Sequence, residues 1–317
     1  MSWQRHLAGW AGMVAVVVLF GPGSGCAEPG REAPDPASRG TDPGEPAPYK
    51  LGKEAMKWLG KASDSGLGAA QFELGKSYFY GTGVPQDYKE AEKLFRKAAE
   101  NGNESGMLFL GTMSRDGLGV PQNPGEAVKW FRKAAEGDSA DGQHALGVLY
   151  HEGKGVDRDR NEAMKWLRKA ADNKHAGAQW LLGMIHHEGM GVPQDDAEAA
   201  RWLRKAADNG HVEGQYALGM LYRDGKGVPQ DYSEAERWLR KAADSGHARG
   251  QHLLGVMCHE GKGVPQDYVA AHMWLNLAAS QGDKEAMDLR ETVAKLMTPA
   301  QIAQAQELAR QKRAAKP

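Results

Sequence analysis

The side chains that could do chemistry are two cysteines, eleven histidines and a recurring set of cations. Each makes a different demand on its surroundings. A nucleophilic Cys258 would need a positioned base and a group that stabilises an oxyanion. On a helix its neighbour His259 is turned away by about 100°. Cys258 also shares a column with Tyr78, Tyr150 and Tyr222, which gives it a tyrosine's packing place. A metal ion would need imidazoles converging to about 2.0–2.1 Å. His175, His211 and His247 share one column, and His151, His187 and His259 another. Column mates are expected to sit at least one helix-packing distance apart, about 8–10 Å. His186 and His187 are sequence neighbours and diverge on a helix. Cys26 and Cys258 are too few for a disulfide framework or a Cys-rich zinc site. The GxG elements follow helices rather than strands, and no GxSxG or Walker motif occurs. The expectation is a chain with no catalytic residue, no metal and no cofactor.

The cations form a clearer pattern. Lys93, Arg96 and Lys97 recur as Lys129, Arg132, Lys133; as Lys165, Arg168, Lys169; as Arg201, Arg204, Lys205; and as Arg237, Arg240, Lys241. An acid follows each arginine at i+4 (Glu100, Glu136, Asp172, Asp208, Asp244), a favourable pair spacing on a helix. A solvated face and a contact surface are both readings of this ladder. The contact candidates are Lys129, Arg132, Lys165, Arg168, Arg201, Arg204, Arg237 and Arg240. With 40 Lys and Arg against 41 Asp and Glu, no whole-protein field favours nucleic acid.

What must position these residues is a repeat. Gly-Val recurs at Gly83, Gly119, Gly155, Gly191, Gly227 and Gly263, always 36 residues apart, and Leu-Gly keeps the same register from Leu74 to Leu254. Trp58, Trp130, Trp166, Trp202, Trp238 and Trp274 do likewise, with Leu94 standing in once. Such a period means a solenoid. Each unit reads as two helices. The first is announced by an N-cap with a Glu three residues on: Asp87 and Glu90, Asn123 and Glu126, Asp159 and Glu162, Asp195 and Glu198, Asp231 and Glu234, the spacing of a capping box. Ala91, Leu94, Phe95, Ala98 and Ala99 form its buried stripe, and the tryptophans fall in that stripe as core. Gly102, Gly210, Gly246 and Gly282 end it in the left-handed region. The second helix buries positions such as Gly214, Ala217, Leu218 and Leu221. Its central glycine costs about 1 kcal/mol against alanine, which a close approach by a neighbouring helix would explain. Arg290-Glu291 replaces Leu-Gly in the last unit, and a further helix opening at Thr298-Pro299-Ala300-Gln301 reads as a terminal cap.

The N-terminus reads as an export signal. Arg5 and His6 precede an apolar run, Trp10 to Phe20, about eleven residues long and too short to span a bilayer. Gly25-Cys26-Ala27 suits ordinary signal cleavage. Ser24-Gly25-Cys26 resembles a lipobox, with Gly23 where Leu is usual, and makes Cys26 a lipidation candidate. Residues 27–48 hold six prolines and almost nothing apolar, the composition of a disordered linker. As a coil it reaches on the order of 25 Å.

The motif Ala-x-x-Trp-Leu-Arg-Lys-Ala-Ala-Asp-x-Gly-His, followed by Gln-x-x-Leu-Gly-x-x-Tyr-x-x-Gly-x-Gly-Val-Pro-Gln-Asp-Tyr, resembles the Sel1-like repeat, a relative of the tetratricopeptide repeat. The resemblance implies an all-α fold, an α-α superhelical solenoid of about seven helix pairs over residues 49–297, with a C-terminal capping helix over 298–313. It also implies an adaptor role, with first helices lining the concave side. The expected protein is therefore a non-catalytic scaffold of a Gram-negative envelope, in the periplasm or as an outer-membrane lipoprotein, binding a protein or an acidic peptide. The alternative is an envelope hydrolase or a β-lactam-interacting relative. The paired cysteines of the Cys-rich members are missing here.

Overall fold

The computed structural model describes residues 53–315, all of it helices and the turns between them. The expected signal segment 1–26 with its lipidation candidate Cys26, and the expected linker 27–48, lie outside the described residues. The first helices are α1 (Lys53–Asp64), α3 (Tyr88–Glu100), α5 (Pro124–Glu136), α7 (Arg160–Asp172), α9 (Asp196–Asp208), α11 (Tyr232–Asp244) and α13 (Tyr268–Ala279). The second helices are α2 (Gly68–Tyr80), α4 (Glu104–Asp116), α6 (Ala140–Glu152), α8 (Ala176–Glu188), α10 (Val212–Asp224), α12 (Ala248–Glu260) and α14 (Lys284–Ala294). The chain closes on α15 (Pro299–Ala314). Two compact units divide it, one ending at Ala134 and the other beginning at Ala135. Within each unit a second helix packs on its own first helix and, more extensively, on the first helix of the next repeat.

The first helices start as their sequences dictate, with one correction. Asp87, Asp159 and Asp231 each accept hydrogen bonds from two first-turn amides, and Asn123 and Asp195 from one. The glutamates do not return the bond to complete a capping box. Glu90 instead holds Lys93 at 3.0 Å, and Glu162 and Glu234 take the indole N–H of Trp166 and Trp238. The N-cap amides are already engaged: those of Asp87, Asp159 and Asp231 donate to the backbone carbonyls of Tyr78, Tyr150 and Tyr222. Both halves of the box form at Thr298 and Gln301, where the Thr298 amide donates to the Gln301 side chain instead.

The exits also follow the sequence. Gly102, Gly210, Gly246 and Gly282 are left-handed, with φ from 78° to 92°. Where glycine is missing, Asp138 and Lys174 adopt the same conformation at φ 66° and 62°.

The second helices differ from expectation in detail. Ala217 is half-buried, and the position taking its place in the core is Gln215. The glutamine column is a clamp. Gln71, Gln143, Gln179, Gln215 and Gln251 are buried, and each Nε2 donates to a carbonyl at the end of its own first helix, as in Gln179 to Ala171 at 2.9 Å. The amide oxygen then accepts from a side chain one repeat on: Asn101 to Gln71, Asn173 to Gln143, Asn209 to Gln179 and Gln281 to Gln251. Gln215 lacks this second bond because Ser245 holds the asparagine place.

The central glycine of each second helix receives a side chain of the following first helix. A Cβ on Gly219 would lie 2.8 Å from Cγ of Leu239 and 3.2 Å from the carbonyl of Ala235; Gly183 meets Leu203, and Gly111 meets Phe131, in the same way. The approach is thus a side-chain knob backed by backbone, at a distance no real Cβ tolerates. The second glycines of two GxG-Val turns are more confined still. At Gly227 a Cβ would be driven into the carbonyl of Asp196, and at Gly263 into that of Tyr232.

At the C-terminal end α13 carries Met273, Asn276 and Leu277 where α11 carries Arg237, Arg240 and Lys241. The helix that buries this apolar face is α15, through Ala305 and Ala309. It packs on α13 rather than α14, so among the described residues no further helix covers the outer face of α14, with exposed Glu291 and Met287. The terminal cap expected from the sequence is therefore present and folds back over the last first helix.

Candidate functional site

The ladder is built by the helix period. In each first helix the alanine and leucine stripe faces the core, which leaves positions such as Lys165, Arg168 and Lys169 on the far side. In the unit ending at Ala134, Lys129 pairs with Glu126 at 3.0 Å, Arg132 is exposed, and Lys133 lies 4.6 Å over the ring of Trp130. In the unit beginning at Ala135, Lys165 pairs with Glu162, Arg201 with Glu198 and Arg237 with Glu234, at 2.9, 2.6 and 3.0 Å. Arg168 is exposed. Arg240 pairs with Glu236 and Arg96 with Glu92. All these acids precede their cations. For Arg96 and Arg240 the partner is the glutamate at i−4 rather than the acid at i+4.

Arg204 departs from the ladder. It is half-buried, donates to the hydroxyl of Tyr222 and lies 5.3 Å from that ring and 5.7 Å from that of Trp238. It is a packing residue as much as a surface charge.

The tryptophans are only partly core. Trp238 and Trp274 are 1% and 2% exposed, Trp166 and Trp202 are half-buried, and Trp58 is 69% exposed. A lysine covers each ring: Lys61 on Trp58, Lys169 on Trp166, Lys205 on Trp202 and Lys241 on Trp238. On Trp274, where Leu277 replaces the ladder lysine, Lys312 of α15 covers the ring at 4.7 Å and also pairs with Asp244 at 2.7 Å. Cation–π contacts of this kind contribute about 0.5–1 kcal/mol at exposed sites. The result is a surface whose cations are oriented by aromatic platforms.

The histidine columns have other work. His175, His211 and His247 are N-caps, their Nδ1 accepting from Ala178, Gly214 and Gly250 at 3.0, 3.1 and 3.0 Å. The same column holds Asn103, Ser139 and Asp283, ordinary capping types, and that was the available signal. Each cap ring meets a side chain of the preceding repeat: His144 on His175 at 4.2 Å, Trp180 on His211 at 5.3 Å, Tyr216 on His247 at 4.6 Å. Burial holds His144, His211 and His247 below the usual imidazole range, with His144 at about 3. In the other column His187 pairs with Asp196 at 2.6 Å and His259 lies against Tyr268. Among the described residues no three His, Cys, Asp or Glu side chains converge as metal ligands. Cys258 is buried, and burial pushes its thiol up to about 11, so it stays protonated near neutral pH.

Seven successive segments of the chain, 49–67, 68–103, 105–139, 140–175, 176–211, 212–247 and 248–283, match the Sel1 repeat. No curated protein matches the chain. The crystal structure of c5321, a protective antigen of uropathogenic Escherichia coli strains with an SLR fold, is similar at 36% identity and a TM-score of 0.73. That match covers 82% of this chain, which spans 56% of the antigen. A Sel1 repeat protein from Oxalobacter formigenes is similar at 35% identity and a TM-score of 0.71, over 76% of this chain and 70% of that one. The chain is an α-α solenoid and belongs to the Sel1 repeat family, whose members generally serve as protein-interaction scaffolds.

Proposed function

We propose that this protein is a non-catalytic scaffold of the bacterial envelope that holds a partner through an acidic segment laid on its first helices. The observation that carries the reading is the run of exposed cations on α7, α9 and α11, each helix with a lysine seated over a tryptophan. Lys165, Arg201 and Arg237 are paired only within their own helices, by exposed i, i+3 contacts. Such pairs are worth about 0–1 kcal/mol, so an incoming carboxylate displaces them at little cost. Repeated positive charge attracts an acidic peptide and sets its register. The export half of the proposal rests on the leader sequence and on Cys26 as its lipidation candidate.

The test is binding of a fluorescent poly-glutamate peptide. Lys165→Glu, Arg201→Glu and Arg237→Glu together should abolish binding at low salt with little change in Tm. This trio is preferable to one containing Arg204, whose loss would disturb Tyr222 and Trp238. Wild-type binding should weaken as the screening length falls to about 8 Å near physiological ionic strength. Equal binding by the triple variant at low salt would make the ladder a solvated face.

A further inference from the structure

One column of the second helices holds Tyr78, Ser114, Tyr150, His186, Tyr222 and Cys258. Where tyrosine is present at Tyr222, the first-helix Arg204 donates to its hydroxyl and lies over its ring. In the repeats of Ser114 and Cys258 the column residue is smaller and a glutamate stands at i−4 of the arginine, which pairs within its own helix: Arg96 with Glu92, while also lying 5.6 Å from the ring of Trp130, and Arg240 with Glu236. At Ser114 the missing ring leaves a cavity of about 240 Å³. Leu110, Met113, Val120 and Pro121 give it apolar walls; Glu92, Arg96 and Glu126 give it polar ones.

We propose that this cavity is a subsite for a phenol, the side chain of a tyrosine presented by a partner protein. The volume is below the roughly 300–1,000 Å³ of pockets for drug-sized ligands and suits one side chain. An aliphatic group would desolvate Arg96 and the two carboxylates without replacing their hydrogen bonds. An anion would meet Glu92 and Glu126, and a cation would meet Arg96. A phenol is neutral, fills the apolar part with its ring, accepts from a guanidinium and donates to a carboxylate. The chain itself shows the pairing at Arg204 and Tyr222, with the ring 5.3 Å from the guanidinium. This inference goes beyond the acidic-peptide reading: it stands on the cavity and holds whether or not the cation ladder binds anything.

The experiment titrates the protein with p-cresol, the tyrosine side-chain analogue, and with toluene, following amide shifts of Met113, Ser114 and Gln122. Saturable p-cresol shifts are expected, with toluene about tenfold weaker or more for want of the hydrogen bonds to charged groups. Ser114→Tyr should fill the cavity and remove the p-cresol response while circular dichroism stays helical. Arg96→Met keeps the cavity but removes one of the phenol's two hydrogen bonds, and should narrow the preference for p-cresol over toluene, which keeps the test decisive should Ser114→Tyr fail to fold. No saturable p-cresol binding, equal binding by a folded Ser114→Tyr variant, or toluene binding as tightly as p-cresol to the wild type would each overturn the proposal.

Discussion

Acidification should loosen the solenoid at α6–α8 through His144. The residue is 5% exposed, its Nδ1 is buried without a partner among the described residues, and its ring is stacked on His175. Burial is the main reason its folded-state pKa falls to about 3; the nearby His175 and His211 push the same way, and Asp141 opposes them. The unfolded chain titrates near 6.5, so below that pH it binds a proton that the folded chain refuses. A group with a depressed histidine pKa contributes stability that is fully present above about 6.5 and is lost as pH falls toward the folded value. At roughly 1.36 kcal/mol per pH unit, the loss from His144 alone is about 2 kcal/mol by about pH 5, and about 5 kcal/mol at the end of the window. The carboxyl of Asp141, held down by its hydrogen bond to His175, changes protonation only below the ordinary carboxylate range and leaves pH 5 untouched. Urea unfolding and amide exchange of α6 and α8 should be compared between about pH 7.5 and pH 5 in wild type and His144→Leu, Leu108 being the natural occupant of this column one repeat earlier. The wild type should lose about 2 kcal/mol more than the variant over that interval. Parallel losses in the two proteins would refute the argument, because the remaining capping histidines are common to both.

Three further outcomes follow from the packing. Gly219→Leu should destabilise by about 3 kcal/mol or more, since its side chain must displace Leu239 and the Ala235 carbonyl; an unchanged urea midpoint would show that the contact can relax. Ser245→Asn should stabilise by about 1 kcal/mol by supplying the missing bond to buried Gln215, and Gln215→Leu should erase that gain in a double-mutant cycle. Gly210→Ala and Gly227→Ala share a left-handed backbone, at φ 82° and 66°, but Gly210 has open space and Gly227 faces the carbonyl of Asp196. The first should cost about 1 kcal/mol and the second several times more, read by thermal melts. Equal costs would mean that φ alone decides.

The period of 36 residues fixed the number of helix pairs, their starts and their exits, because capping, glycine chirality and the apolar stripe are local properties of consecutive residues. Asp87, Gly102 and the stripe from Ala91 to Ala99 could be assigned without any knowledge of what lies opposite. The terminal cap was legible for the same reason, from Thr298 and Gln301. The ladder was legible as a set of exposed positions, whereas the partners of its cations were not. Choosing between an acid before and an acid after Arg96 depends on side-chain rotamers, and diverting Arg204 depends on a tyrosine 18 residues away. The glutamine clamps join residues 30 apart, and the ring that packs on each histidine cap comes from the preceding repeat, as Trp180 does on His211. The cavity at Ser114 belongs to the same class. A serine in a tyrosine column says that a ring is missing; whether the space closes or stays open is set by how α3, α4 and the turn before α5 pack around it. One-dimensional pattern determines what is local, and contacts between repeats are settled only when the helices meet.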